Sequence, residues 1–474
     1  MSWIEDFNKF QEMEDDLGLF RVSIQGVNFW ERIRFQVYAA VGRRELGKSK
    51  AELGVKPGRR RLKRLLLSVF KVGKNARYAP KSDLLFVCSA RRLLEKDGYY
   101  WDIYTDPIIQ SFDPPPLAIE THFENKHYSP AKTKSLRFLD YIEFLSYLKR
   151  KLGFARISFS NEEIGILMQI QEEIDKRFSF QLDMVSLTKR ILEERKARLP
   201  HYRKMLKRIS PKIVIFAQSY GWEDLIEVSK SLGIPTAELQ HGIIGPYQPG
   251  YSFAGPERRK EYFPDFLFSW GDYWNTVAPL PIQLENAISV GFPYINMKKD
   301  SYSGLSKKKQ IIFISQYTIG DRLSKFAAQL SNIVGLDYEI VYKLHPQELS
   351  MWRESYPWLA ESRVRVIDQP EAVLHELFAE SSISVGVYST AVYEGLAFGL
   401  QTFLVEAPGI ELMAPLLESN NVNKVSTPKQ MMDYIEGRKS SQELDVEFFF
   451  KSNAVQNIKS FLKGLEIEEN DDGS

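Results

Sequence analysis

The stretch Gly386-Val387-Tyr388-Ser389-Thr390-Ala391-Val392-Tyr393-Glu394 has the residue order of a phosphate site. An apolar run, Ile383–Val387, ends in small hydroxyl residues, and a helix-forming run follows. Ser389 or Thr390 would cap that helix, turning its free amides and the positive end of its dipole towards an anion such as a nucleotide phosphate. Glu394, about one turn further on, can bond ribose hydroxyls. The plainer reading is a capped helix of a kind found throughout α/β folds.

A second constellation is Tyr342-Lys343-Leu344-His345-Pro346. A histidine at the C-terminal tip of a buried strand lies where open α/β sheets take their ligands. The proline after it enforces extended backbone. Such an imidazole can hydrogen-bond or protonate a departing phosphate, and Lys343 and Pro346 belong to the same candidate phosphate site. Ser315 and Gln316, at the end of another apolar run, join it as polar residues at a strand tip. A third constellation is Gln240-His241-Gly242, again at a strand end, where His241 can orient an acceptor or serve as its base. Gly242 and Gly245 allow tight turns and close approach to backbone. Gln240 and Gly242 are assigned to the acceptor, as are Tyr100 and Trp101 in the aromatic, acidic loop Asp97–Asp102, which suits sugar stacking or simple packing. Glu223 and Asp224, opening a helix, are the nearest carboxylates for deprotonating a hydroxyl, although acids in a first turn also suit the helix dipole.

These residues need a scaffold, and the chain supplies two series of alternating strands and helices. The first runs through Leu84–Cys88, Leu117–Glu120, Ile213–Ala217, Thr236–Gln240, Phe266–Trp270 and Ile288–Gly291, with a charged helical insertion near 134–208. The second runs through Gln310–Ser315, Glu339–Leu344, Val364–Ile367, Ile383–Val387 and Thr402–Val405. Such alternation predicts parallel sheets covered by helices. The expected division is a helical and basic N-terminal extension over 1–80, with a hairpin at 19–30, and a Rossmann-like acceptor-side domain over 81–295. A polar connector at 296–309, a Rossmann-like nucleotide-sugar domain over 310–440, and a helix with an acidic tail over 441–474 complete it. Two such domains, their parallel sheets facing a central cleft, are the expected α/β architecture.

Composition limits the alternatives. The 474 residues suffice for more than one core. The net charge of +2 points to no nucleic-acid partner. Cys88 is the single cysteine, so no internal disulfide forms and thiol metal sites are excluded. No Walker loop, G-x-S-x-G elbow or H-E-x-x-H helix occurs, and no Asp-x-Asp ends a strand, so no metal or other cofactor is expected. The N-terminus lacks the order of a secretion signal and no uncharged apolar run approaches bilayer length, which gives a cytoplasmic expectation. Between Arg43 and Lys81 only Glu45 and Glu52 oppose many cations, and Arg59–Lys71 runs from a basic cluster into an apolar patch. That segment reads either as a solvated connector or as a peripheral contact with the anionic inner face of a membrane.

The trio QHG (Gln240–Gly242), KLHP (Lys343–Pro346) and YSTAVYEGLAFG (Tyr388–Gly399) resembles bacterial and archaeal surface-polysaccharide transferases of the GT-B fold. The families nearest in motif are capsule-type Kdo transferases, HP-motif bacterial sialyltransferases and CDP-glycerol glycerophosphotransferases. The similarity covers residues 210–420. It implies that His345, Ser389 and Thr390 contact the phosphate of a cytidine nucleotide, with Glu394 near the ribose. The acidic-acidic-Gly base motif of the sialyltransferases is missing, since Glu223-Asp224 lacks the glycine. The expectation is therefore a metal-independent transfer of a sugar, from a CMP-sugar first and from CDP-glycerol or a UDP-sugar second, to a glycan or lipid-linked acceptor. The alternatives are a nucleotide-sugar epimerase of the same fold, whose Ser-Gly-Gly turn is replaced here by Ser389-Thr390-Ala391, and a non-catalytic glycan-binding subunit.

Overall fold

Continuous apolar runs bounded by turn residues become strands buried on both faces, because helices cover each side of a parallel sheet. The structure, a computed structural model, describes residues 3–42, 72–253, 260–333, 337–369, 373–437 and 444–465. The basic segment Arg59–Lys71 lies outside the described residues. Two compact units result, one of residues 1–269, 278–289 and 455–474 and the other of residues 270–277 and 290–454.

The first unit holds seven parallel strands: β1 (Leu84–Val87), β2 (Leu117–Glu120), β3 (Leu136–Phe138), β4 (Ile213–Phe216), β5 (Thr236–Leu239), β6 (Phe266–Ser269) and β7 (Ala287–Ser289). Their spatial order is β3-β2-β1-β4-β5-β6-β7. The second unit holds six: β8 (Gln310–Ile314), β9 (Glu339–Lys343), β10 (Arg365–Ile367), β11 (Ile383–Gly386), β12 (Gln401–Val405) and β13 (Asn423–Val425). Their order is β10-β9-β8-β11-β12-β13, and every pairing is parallel. Each sheet thus reverses direction once, between β1 and β4 and between β8 and β11, the doubly wound arrangement of a Rossmann-like domain. Two α/β units with parallel sheets, preceded by N-terminal helices, are the fold class expected from the sequence.

The N-terminal helices Trp3–Asp16 and Phe29–Gly42 bury Phe7, Phe10, Trp30, Ile33 and Val37 with Leu167, Ile170 and Phe178 of the insertion helix Asn161–Phe178. Two arginines of the second helix reach further. Arg32 pairs with Asp224 at 2.6 Å and with Glu227. Arg34 pairs with Glu14 at 2.5 Å and donates to the carbonyls of Pro249 and Ser252. Both guanidinium groups are almost wholly buried, so their partners are needed to offset desolvation.

Three local expectations change. The hairpin at 19–30 is instead a 3-10 turn, Leu19–Arg21, and one isolated bridge between Ile24 and Val27, with Phe29 already helical. The insertion opens with strand β3 before its helices Asp140–Lys151, Asn161–Phe178 and Met184–Ile209. The polar stretch 296–309 begins inside a helix, Pro293–Ser301. That helix is anchored by Pro293, Tyr294 and Ile295, all buried and all just upstream of the polar stretch, with the Lys298 ammonium 5.0 Å above the Tyr294 ring. No helix among the described residues is long and apolar enough to cross a membrane.

Candidate functional site

In the second unit the chain leaves β8 and β11, neighbours in the sheet, towards opposite sides, which opens a crevice at their C-terminal ends. The register sets Phe313 opposite Tyr342 on one side and Val385 on the other. Carried three residues further, it aligns Gln316 with His345 and Tyr388. The continuation is real on one side, for the Gln316 side-chain oxygen accepts the Tyr388 N–H at 3.2 Å. The Thr318 hydroxyl and the Tyr388 phenol bond to each other across the same crevice. His345 thus stands at one end of this row, and Ser389 follows Tyr388 at the other.

His345 is held by Glu348, a residue that the motifs did not single out. Its N–H donates to Glu348 Oε2 at 2.7 Å. Glu348 is fully buried, and its Oε1 accepts from the Ser315 and Tyr356 hydroxyls, both at 2.9 Å. Gly320 explains how a carboxylate fits there, since a Cβ at that position would lie 2.1 Å from Oε1 of Glu348. Glu348 therefore joins the end of β8, the His-Pro turn and the start of helix Gly320–Ser331. On the ring, Nδ1 accepts from the Gln347 N–H at 3.2 Å, so a neutral imidazole carries its proton on Nε2, which has no partner among the described residues. An N–H aimed outward at a strand tip is a donor for an anion.

Ser389 is the N-cap of helix Thr390–Ala397, accepting from the Ala391 N–H at 3.2 Å. The Val392 N–H returns to the Ser389 carbonyl. The amides of Ser389 and Thr390 stay uncommitted among the described residues, so two free donors remain at this helix start rather than a whole free turn. Glu394 does not stand free for a ribose; it holds His375 Nε2 at 2.8 Å, and the His375 ring stacks on Phe398. Lys343 is half-buried and its ammonium is pushed below the usual lysine range by burial. Ser315 is turned inward to Glu348 and Tyr342. Pro346 is exposed on the turn.

In the first unit, His241 sits two residues beyond β5 with both ring nitrogens engaged. Nε2 is 2.6 Å from the Tyr220 hydroxyl, and Nδ1 is 3.0 Å from the Tyr251 hydroxyl. Tyr251 donates its proton to Glu238 Oε1 at 2.6 Å. Nδ1 must then carry the proton facing Tyr251, and Nε2 accepts from Tyr220. The result is a chain, Tyr220 to His241 to Tyr251 to Glu238, with Glu238 buried on β5. Burial, then Glu238, raises the Tyr220 phenol to about 12. Phe35 stacks on the Tyr220 ring at 4.6 Å, and Tyr220 lines a pocket with Glu31, Glu223, Phe253, Lys260 and Tyr262.

The other acceptor-side expectations fare unequally. Glu223 reaches this pocket, accepts the Gly221 N–H at 2.9 Å, and is raised above the usual glutamate range by burial. Asp224 does not; Arg32 and Arg198 hold it at 2.6 and 3.4 Å, in a structural ion pair that leaves no lone pair aimed at a substrate. The buried Gln240 amide closes its own turn on the Gly242 carbonyl at 2.9 Å. Neither Gly242 nor Gly245 has positive φ, so neither is demanded by backbone strain, and both leave open space where a Cβ would stand. Trp101 is buried, its indole N–H shared between the two Asp97 oxygens at 3.2 Å and its face covered by the Lys132 ammonium at 4.6 Å. Tyr100 packs 5.0 Å from the Tyr128 ring. Trp101 is thus committed to packing, while Tyr99 of the same loop is exposed.

A separate buried ionic cluster ties β2 to the insertion. Arg92 pairs with Asp106 and Glu120 at 3.0 and 2.9 Å. His127 bridges Glu120 and Asp140 at 3.0 and 3.1 Å and stacks on Phe138 at 3.6 Å. No group of three or more His, Cys, Asp or Glu among the described residues is placed to hold a metal ion.

No protein-family model matches the chain, and no curated protein matches it. Solved structures similar to it include UDP-GlcNAc 2-epimerase from Neisseria meningitidis bound to UDP-GlcNAc, at 12% identity, 80% of this chain, 99% of that chain and a TM-score of 0.47. The UDP-GlcNAc 2-epimerase from Methanocaldococcus jannaschii matches at 11%, 80%, 99% and 0.45. The wall teichoic acid polymerase TagF matches at 12%, 92%, 98% and 0.44. These similarities concern the arrangement of strands and helices.

Proposed function

We propose that the chain is a glycosyltransferase that carries a sugar from a nucleotide donor to a hydroxyl of a glycan or lipid-linked acceptor. The observation that carries the reading is that the His345 Nε2 and the amides of Ser389 and Thr390, all without a partner among the described residues, follow strands on either side of β8 at the switch point of the second sheet. In the proposed step the acceptor oxygen bonds to the anomeric carbon while the carbon–oxygen bond to the phosphate breaks. His345 and the helix amides take up the charge appearing on the departing phosphate. The acceptor proton leaves to a general base; in the first unit the Tyr220–His241 pair, where the Tyr220 oxygen can take a proton as its own moves to His241 Nε2, has the chemistry of one. A CMP-sugar is the first choice of donor, following the motif resemblance, and no step is assigned to a metal.

The test is a thermal-shift panel of CMP, CDP, UDP and GDP, each with and without EDTA. A nucleotide at a hundred times its dissociation constant adds about 2.7 kcal/mol of stability. One nucleotide should stand out, be indifferent to EDTA, and lose its effect in His345→Ala. Silence from all four, or a shift that survives His345→Ala, overturns the reading. Conversion of a nucleotide sugar to its epimer without any acceptor would transfer the assignment to an epimerase.

A further inference from the structure

The two most exposed large apolar side chains among the described residues are Phe154 at 75% and Leu152 at 66%, on either side of Gly153. They crown the end of helix Asp140–Lys151, whose last turn is Lys149-Arg150-Lys151. The local chemistry holds them outward. Gly153 takes φ +83°, its N–H returns to the Arg150 carbonyl at 3.0 Å, and the Phe154 N–H returns to the Lys149 carbonyl at 2.9 Å. This is the paired hydrogen-bond cap that ends many helices, in which the residue after the glycine normally folds its apolar side chain back onto the last turn. Phe154 does not fold back. Neighbouring Ala155 is buried, so the loop is fastened at its base while its tip projects.

The charges around the tip have one sign. Arg150 is paired with Glu194 at 2.5 Å. Lys149, Lys151 and Arg156 have no carboxylate partner among the described residues. The Arg156 guanidinium lies against Gly153, at the root of the tip, since a Cβ there would meet its Nε at 3.2 Å. Two outward apolar side chains ringed by three unpaired cations match the interface of an anionic bilayer, where apolar side chains enter the acyl boundary and cations meet headgroups. A protein partner would be expected to bury a broader apolar area than two side chains on one turn.

We propose that the loop Leu152-Gly153-Phe154 is a membrane-docking tip, inserted shallowly into an anionic lipid surface and held there by Lys149, Lys151 and Arg156. It is distinct in position from the basic segment Arg59–Lys71 and does not depend on which nucleotide the second unit takes. The tip places the insertion helices, and with them the first unit, at a lipid surface, which suits an acceptor that is itself membrane-anchored.

The test is co-sedimentation of the full chain with phosphatidylcholine vesicles, with and without phosphatidylglycerol. Binding to the anionic vesicles is expected, with little to phosphatidylcholine alone. Leu152→Ser with Phe154→Ser should weaken it about tenfold, from the apolar area withdrawn. Lys149→Gln, Lys151→Gln and Arg156→Gln together should weaken it about a hundredfold at low salt. Phe154→Trp should show a blue-shifted emission on adding anionic vesicles and none on adding neutral ones. The unfolding midpoints should stay at the wild-type value, because the altered apolar groups are exposed. Absent binding, equal binding to both vesicles, or retention of full binding by either variant set overturns the proposal.

Discussion

Replacing Glu348 by glutamine keeps the volume and removes the charge, and the geometry sets what this costs. Oε1 receives two hydroxyl donors and Oε2 receives the His345 N–H. Glutamine must put an NH2 in one of those places. With the amide nitrogen at the Oε2 position, it faces the His345 N–H donor to donor, and the His-Pro turn loses its anchor. With the amide reversed, the Ser315 and Tyr356 hydroxyls must both turn to accept, although Ser315 is already shared with Tyr342 at 2.9 Å. Bonds to a charged acceptor contribute about 1.5–3 kcal/mol against about 0.5–1.5 for neutral ones, and a stranded buried donor costs a further 1–3. Glu348→Gln should therefore lose about 3 kcal/mol. Urea unfolding measures it, and because the chain has two units the loss should appear in the transition that a bound nucleotide shifts. The same variant should weaken nucleotide binding through the displaced His345. A loss under about 0.5 kcal/mol, the level of an ordinary surface change, would refute the claim that this carboxylate organises the turn.

Two further outcomes follow from the first unit. Asp224→Asn should cost about 1–2 kcal/mol of stability, since it removes one of the two carboxylates that face the buried Arg32, while leaving transfer per folded molecule unchanged; a selective loss of turnover at wild-type stability would restore Asp224 to the chemistry. His127 gives a pH dependence. Burial alone would lower its pKa, but the bonds to Asp140 and Glu120 outweigh burial and raise it from 6.5 to about 9. The stabilisation is then complete below pH 6.5 and is lost as pH rises through about 9, by at most about 3 kcal/mol. Denaturant midpoints measured between those limits should fall in the wild type and flatten in His127→Gln.

Much of the scaffold was legible because its signal is local. An apolar run such as Ile311–Ile314 is a buried strand wherever it lies, and the Ser389 cap is written in neighbouring residues. The site was legible only as strand tips carrying His345, His241 and Ser389. Its partners were not, because they arrive through tertiary contact. Glu348 sits in Pro346-Gln347-Glu348-Leu349, which reads as a solvated turn, and only the missing side chain of Gly320 makes room to bury it. Asp224 looked available because Arg32, which neutralises it, is 192 residues away in sequence. Tyr220 and Tyr251 read as loop aromatics, with no periodicity to show that they close on one imidazole. The connector at 296–309 was misread because its helix is driven by apolar residues lying before its polar composition begins.

Arg32 and Arg34 also determine how the chain can be cut. A shortened protein beginning after residue 42 would take from Asp224 and Glu227 the buried guanidinium they share, leaving Arg198 and Arg195 as their partners, and strip the carbonyls of Pro249 and Ser252 of their donor. It would at the same time uncover Leu167, Ile170 and Phe178 to water. Such a fragment should collect in inclusion bodies rather than in the supernatant. By the same reasoning a chimaera that replaces the sheet of this unit must replace its leading helices with it, since the buried arginines and their carboxylates come from the two pieces.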